Sequence, residues 1–530
     1  MPTTGRTLTE PIPTPTATPP LKDVHALLTE KLAAAKLGGP ASTRAKIQAS
    51  GKMLVRDRLA ILFDGEADFE DGLLTRSEEG LPGDAVVCAV GKVDGRTTCV
   101  IANDYSVKAG TWGRKTFEKI TRMQELADQL GAPLVYLVDA AGARIDEQFD
   151  SYTGRRAWGN IFYNQIQFSG RIPQVCALFG PSPAGSAYVP ALCDVTIMVR
   201  GHATAYLGSP RLAEMVTGEK VTLEEMGGAE MHNCVSGVGD LLVEDDTEAI
   251  AAVRMWLSYV APNWKEQPPK LEGWPARADS RTVEEIVPLR EDVPFDVHEL
   301  IEAIVDECTY FPYKPLYAQE LEVGFARLGG RSIGIIANNS AVKAGVLFTD
   351  SSDKAARFIW ICNAFNVPLL FLSDISGYMI GSVVEREGII RHGAKMLFAV
   401  CESRVARIDV LVRKAYGGGY LAMSGSPTHP DAVLALATAK PALMGPAAAV
   451  NAVHYNRFMA IDDLEERKAF IEEKRAEVEA EIDVFALASE NSFDAVVPGS
   501  QLRDELIRRF DIYVRRPVLP YERRNAVYPV

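Results

Sequence analysis

IANDYSVKAG at residues 101–110 and IANNSAVKAG at residues 336–345 are two copies of one segment, set 235 residues apart. The same offset, without a gap, places Pro133-Leu134 on Pro368-Leu369, Asp139 on Asp374 and Gly142 on Gly377. Register held over that length marks an internal duplication. Each copy reads the same way: a strand (CVIAN, IGIIAN), a VKAG turn, a helix (KTFEKITRMQELADQLG, SDKAARFIWICNAFN) and an apolar strand (PLVYLVD, PLLFLSD) that runs on to a glycine. Val, Ile and Leu are nearly continuous in those strands, which suits a sheet covered on both faces. The expected class is α/β, in two similar halves. Duplication alone would build a two-lobed scaffold without chemistry.

The surrounding chain supports two domains. Its 530 residues exceed one ordinary domain, and 47% hydrophobic with 24% charged residues suffices for well-filled cores. Residues 1–22 form a Pro- and Thr-rich segment too poor in apolar surface to offset ordering entropy, and are expected to be a disordered tail. A Pro-rich stretch over residues 262–294 separates the halves, giving domains at 23–270 and 271–530. A net charge of −14 argues against a surface that tracks nucleic-acid phosphates. No apolar run is long enough to span a bilayer and the first twenty residues hold no hydrophobic signal core, so a cytoplasmic protein without membrane contact is expected. The eight cysteines are scattered singly and read as reduced packing residues. His232, His392 and His454 lack ligand-like spacing, so no metal site is expected. The charged helix over residues 462–481 reads as a solvated face, with a partner contact as the alternative.

Each half also carries a turn of small residues after an apolar strand: GPSPAGSAYVPA at 180–191 and RKAYGGGYLAM at 413–423. Small residues let backbone N–H groups face a site without side-chain obstruction. Two such turns make two oxyanion holes, with Ala184, Gly185 and Ser186 as donors in the first and Gly418 and Gly419 in the second. If the donors matter, Gly419→Ala should be far milder than Gly419→Pro, which removes an N–H. Tight strand–helix packing is the alternative for either turn taken alone.

Here the sequence resembles a known family. VRDRLAILFDGEADFED at 55–71, VDAAGARI at 138–145, GPSPAGSAYVPAL at 180–192, MVTGEKVTLEEMGGAEMHNCVSGV at 215–238, DKAARFIWICNAFNVPLL at 353–370, EGIIRHGAKML at 387–397, RKAYGGGY at 413–420 and MGPAAAVNAV at 444–453 look like the carboxyltransferase (β) subunits of acyl-CoA carboxylases, of the propionyl-CoA carboxylase β type found in actinobacteria. The likeness runs from about residue 54 to residue 498. It implies tandem crotonase-like (ClpP/crotonase) domains, each a ββα-superhelix, and transfer of carboxylate from carboxybiotin to the α-carbon of an acyl-CoA. It implies that Ala184 and Gly185 hold the thioester oxygen and that Gly418 and Gly419 hold the ureido oxygen. Leu421, Tyr188 and Tyr420 would line the acyl pocket, and Gly142, Ala143 and Arg144 would bind CoA. For Arg144 an ion pair with Asp139 or Asp146 is the equal alternative. The resemblance also implies a ring-shaped homohexamer whose sites lie between chains, and a biotin carboxylase/biotin carrier α subunit as partner. The only AMKM-like context, Lys395-Met396, reads AKML, so this chain carries no biotin of its own.

The sequence departs from the family pattern in three places: Ala184-Gly185 for Gly-Gly, DAAGARI for DSGGARI, and Ser376-Gly377 for Pro-Gly. It also has Leu421 where relatives acting on propionyl or acetyl groups often have Asp. An aliphatic wall favours longer acyl chains, giving alkylmalonyl-CoA products. Left open are a propionyl- or acetyl-CoA carboxylase, a decarboxylase or transcarboxylase subunit, a crotonase-type hydratase or isomerase, and a non-catalytic paralogue.

Overall fold

The computed structural model describes residues 21–152, 157–517 and 529. The first sheet has seven strands in the order β1-β2-β3-β4-β5-β7-β9: β1 (Phe69–Asp71), β2 (Val86–Val93), β3 (Arg96–Asn103), β4 (Leu134–Val138), β5 (Gln174–Leu178), β7 (Val195–Val199) and β9 (Leu241–Val243). β6 (Pro181–Pro183) and β8 (Thr204–Tyr206) pair separately. The second sheet runs β10-β11-β12-β13-β14-β15-β17: β10 (Phe311–Pro312), β11 (Leu321–Leu328), β12 (Arg331–Asn338), β13 (Leu369–Ile375), β14 (Arg407–Tyr416), β15 (Ala432–Ala435) and β17 (Ala495–Val496). β16 (Lys440–Ala442) pairs with the far end of β14. In each sheet an antiparallel ribbon leads into parallel strands.

The duplication is exact in register. Val86 faces Asn103 and Leu321 faces Asn338; Ile101 pairs with Tyr136 and Ile336 with Phe371. Helices Arg114–Leu130 and Thr349–Ala364 start at equivalent positions. Each opens on a hydroxyl: Thr116 Oγ1 accepts from Gly113 N–H at 2.9 Å and Ser351 Oγ from Phe348 N–H at 2.7 Å. That satisfies a donor with no partner inside the helix.

Alternation along buried strands feeds two cores. Val100 and Ala102 of β3 enter one core, Cys99 and Ile101 another. The first continues into the second half through Phe325, Ile336 and Phe358, and Tyr259 stacks on Phe325 at 5.9 Å. The passage over residues 262–294 therefore joins two sheets but does not interrupt the packing.

Two sequence expectations change, and a third is placed on a helix. Residues 1–20 of the proposed tail lie outside the described residues, but Leu21 and Lys22 begin the helix Leu21–Leu37. Cys88, Cys99, Cys176, Cys193 and Cys362 are buried, whereas Cys234, Cys308 and Cys401 are exposed. The charged segment is the helix Leu464–Glu481, which buries no side chain and is capped by Asp463. Among the described residues no helix is long and apolar enough to cross a membrane.

Candidate active site

β5 leads through Gly180 into β6 and the turn Ala184–Ala187; β14 leads directly into the helix Gly417–Ala422. The two routes are equivalent. β6 pairs in parallel with β8, as the end of β14 pairs with β16. Ala184 then takes φ 54° and Gly417 φ 55°. By backbone conformation, Ala184-Gly185 corresponds to Gly417-Gly418, and Ser186 to Gly419. The left-handed conformation costs an alanine about 1–2 kcal/mol, so this position favours glycine and the methyl of Ala184 is held there by its surroundings. Those surroundings include Ser186 Oγ, which donates to the Pro183 carbonyl at 2.6 Å, and Ser182 Oγ, which donates to the Ser186 carbonyl at 2.9 Å. The first N–H groups of each helical turn have no partner within it.

The glycines differ in what surrounds them. A Cβ on Gly418 would meet nothing within 4 Å, whereas one on Gly419 would strike Ile375 Cγ1 at 2.6 Å and Gly377 Cα at 2.8 Å. The expected mildness of Gly419→Ala is therefore overturned, because β13 and the Gly377 turn fill the space a methyl would need. A Cβ on Gly185 would collide with Cζ3 and Cη2 of Trp158. Trp158 meets Phe162 edge-on at 5.3 Å and Tyr152 at 5.9 Å, and Phe162 meets Tyr188 at 6.1 Å. Gly142, with φ 95°, sits by Pro183 beside the same turn.

Charges in both halves are buried and paired. Asp139 at the end of β4 is salt-bridged to Lys52 at 2.7 Å and Arg58 at 3.3 Å; Asp374 in β13 is bridged to Arg413 at 2.6 Å and Lys414 at 3.6 Å. Arg58 also binds Asp246 at 2.8 Å and stacks on Phe179. Carboxylates tied this way anchor strand ends, and the backbone amides are left to face the site.

Arg144 pairs with neither Asp139 nor Asp146. Its buried guanidinium binds Asp84, Glu147 at 3.3 Å and the Thr111 carbonyl at 2.9 Å. Held by these partners, it braces the turn. Its N–H bonds the Trp112 carbonyl, and Ala143 bridges Trp112 as Tyr378 bridges Leu347 in the other half. Against the effect of its burial, the Arg114 N–H, then Arg76 and Arg144, hold the Glu147 carboxyl down to about 2.

The residues expected around the acyl group separate. Leu421 is half-buried and lies three residues after Gly418, so both share one helix face. Tyr188, the equivalent of Leu421, is exposed at the end of the aromatic row. Tyr420 turns away: its ring packs against the small core of Leu411 and Val433, and its hydroxyl accepts from Ser426 N–H at 3.0 Å. Burial, with Asp409 nearby, raises its phenol. Consecutive helical positions point about 100° apart, so Tyr420 cannot share the face of Gly418 and Leu421. Trp158, which covers the first turn, was not singled out from sequence; it stands outside the repeat and outside every glycine motif. Asn103 and Asn338 belong to the repeat, and each donates to the carbonyl of the glycine that ends its VKAG turn, Gly110 and Gly345.

Residues 46–528 match the carboxyl transferase domain family. The chain belongs to the biotin-dependent acyl-CoA carboxyltransferases. This carboxyltransferase is 51% identical over 511 residues to the uncharacterized carboxylase YngE of Bacillus subtilis (strain 168), covering 96% of this chain and 100% of that one. It is 38% identical over 491 residues to the propionyl-CoA carboxylase carboxyltransferase subunit of Haloferax mediterranei, covering 91% and 94% of the two chains. The crystal structure of the transcarboxylase 12S hexamer with methylmalonyl-coenzyme A and methylmalonic acid bound superposes with a TM-score of 0.91 at 32% identity, covering 97% of this carboxyltransferase and 99% of that chain. The fold is crotonase-like in both halves.

Proposed function

We propose that this carboxyltransferase moves carboxylate from carboxybiotin, presented by a separate biotin carboxylase/biotin carrier α subunit, to the α-carbon of a medium-chain acyl-CoA, giving an alkylmalonyl-CoA. The observation that carries the reading is a pair of equivalent amide-bearing turns with opposite surroundings: open space at Gly418, an aromatic cover at Gly185. The opening at Gly418 leaves room for a ring system, which suits the bicyclic head of biotin. Carboxybiotin, when bound, supplies the carboxyl group. N–H groups at Ala184 and Gly185 hold the thioester oxygen as negative charge develops there, and those at Gly418 and Gly419 hold the ureido oxygen. Amides fixed on strand ends need no reorganisation during the reaction, and the aromatic cover excludes water from the acyl side.

Leu421 beside Gly418 supports the chain-length preference. At roughly 0.8 kcal/mol per buried methylene, three extra methylenes from propionyl to hexanoyl shift preference by about 2 kcal/mol, or some thirtyfold in kcat/KM. The test is bicarbonate fixation with one α subunit across acetyl-, propionyl-, butyryl-, hexanoyl- and octanoyl-CoA, in the wild type and in Leu421→Asp. The wild type should prefer hexanoyl-CoA and the Asp variant should lose part of that gain, because a longer chain must desolvate the carboxylate. Preference for propionyl-CoA in the wild type, or an unchanged ratio, overturns Leu421 as the selector. The superposition on a transcarboxylase favours a second direction, in which an acyl-CoA donates the carboxyl group. Carboxylation of free biotin at the expense of methylmalonyl-CoA, faster than the forward reaction, would establish it.

A further inference from the structure

The two turns share one backbone and differ in their cover, and the difference is Trp158. The three atoms nearest a Cβ built on Gly185 all belong to its ring, whereas the equivalent position on Gly418 has no neighbour. The Trp158 ring is held from two sides, by Phe162 edge-on at 5.3 Å and by Tyr152 at 5.9 Å. Phe162 in turn meets Tyr188, and both Tyr152 and Tyr188 remain exposed. The row therefore runs across the donor turn and reaches solvent at each end. Phe162 comes from the helix Gly159–Phe168, which is fixed in the core by Ile161 and by Gln165, which donates to the Val189 carbonyl at 3.1 Å. The aromatic wall is thus mounted on the same element that braces the helix following the turn.

We infer that Trp158 is a specificity-determining residue for the acyl group: its ring edge forms the inner wall against which the carbons next to the thioester pack, and its bulk limits their branching and girth. This inference rests on the carboxyltransferase reading of the two turns. A thioester oxygen held by the Gly185 amide brings its acyl chain alongside the ring that lies on that residue. A flat, rigid face favours slender, unbranched chains and rejects substituents that thicken the chain near the α-carbon, because tryptophan cannot shrink and its neighbours limit its movement. Leu421 acts at the other turn, so the two residues are separable.

The experiment uses the full carboxyltransferase with its α subunit and measures kcat and KM for hexanoyl-CoA and for a β-branched chain, isovaleryl-CoA, in the wild type, Trp158→Phe and Trp158→Leu. Trp158→Leu should shift the branched-to-linear ratio of kcat/KM about tenfold or more toward the branched substrate, with Trp158→Phe between. KM for free biotin in the partial reaction should be unchanged by either substitution. Tryptophan emission titrated with hexanoyl-CoA in the absence of biotin should change in the wild type and not in Trp158→Phe. An unchanged ratio in folded variants, or the same emission change without Trp158, overturns the inference. Wild-type protein that carboxylates no acyl-CoA and binds none overturns the parent reading instead. Should Trp158→Leu fail to fold, the Phe variant alone decides between the two outcomes through the emission change.

Discussion

At Gly418 a donor can be removed without disturbing the fold. Gly418 lies in the first turn of the helix Gly417–Ala422, where a proline removes no intrahelical hydrogen bond, and a Cβ there would meet nothing within 4 Å. Gly418→Pro should therefore fold and lose only an N–H, lowering kcat by about a hundred- to a thousandfold if that donor stabilises developing charge. Gly418→Ala keeps the N–H and should retain most of its turnover. Equal losses in the two variants, at matched thermal stability, would show that space matters there and hydrogen bonding does not. Gly419→Ala is a different experiment. Its methyl would strike Ile375 and Gly377, so melting temperature should fall together with activity. Two adjacent glycines in one motif thus answer to different constraints, and the motif does not say which is which.

At the level of elements, the repeat positions both turns through the same joints. Each VKAG turn takes three successive left-handed residues, Lys108 to Gly110 and Lys343 to Gly345, and is tied to the loop after the next strand through Trp112 and Leu347. Lys119 and Lys354, at equivalent points of the two helices, both reach backbone carbonyls: Gly83 and Val86 in the first half, Tyr317 and Ala318 in the second. The contact between halves adds a titration. Asp194, at the start of β7, is buried near Arg357 of the helix Thr349–Ala364 and accepts from Gln174 N–H at 2.7 Å. Desolvation raises its carboxyl from 3.8 to about 7. A raised carboxyl holds its proton in the folded state after the unfolded chain has lost it. Its stabilising contribution is complete below about 3.8 and is lost as pH rises through about 7. Asp194→Asn keeps the acceptor for Gln174 and removes the titration. The stability of wild type relative to this variant should therefore fall with rising pH across that window, by up to about 1.4 kcal/mol per pH unit. Denaturant midpoints of both proteins between pH 4 and pH 8 give the slope; a flat difference would place the ionised carboxylate in the folded state throughout.

For the whole molecule, the apolar surface points to assembly. Phe149, Tyr152, Met215 and Val216 are exposed in the first half; Ile380, Val383, Ile390 and Leu443 are exposed in the second, on segments near the second turn. Apolar side chains left exposed in both halves suit burial between subunits. The expected assembly is a ring-shaped hexamer in which the first half of one chain faces the second half of another, so that a single chain lacks a complete site. Sedimentation equilibrium, with activity measured across the dissociation range, checks it; a monomer with full carboxyltransferase activity sinks it.

The sequence by itself determined the α/β class, the duplication, the two small-residue turns and the family, because each is written in short-range pattern: strand hydrophobicity, turn residues and an offset that holds register. The repeat reaches further than its letters, however. β2 and β11 are equivalent in pairing although VVCAVGKV and LEVGFARL share little, since any residue that fits a strand buried on both faces satisfies them. Only the tertiary structure decided that Arg144 is spent on Asp84 and Glu147, that Tyr420 faces inward, that Gly419 has no room for a methyl, and that Trp158 covers one turn while the other lies open. Each of these depends on which distant segment packs against a residue, and that follows from how the two halves close around their shared core.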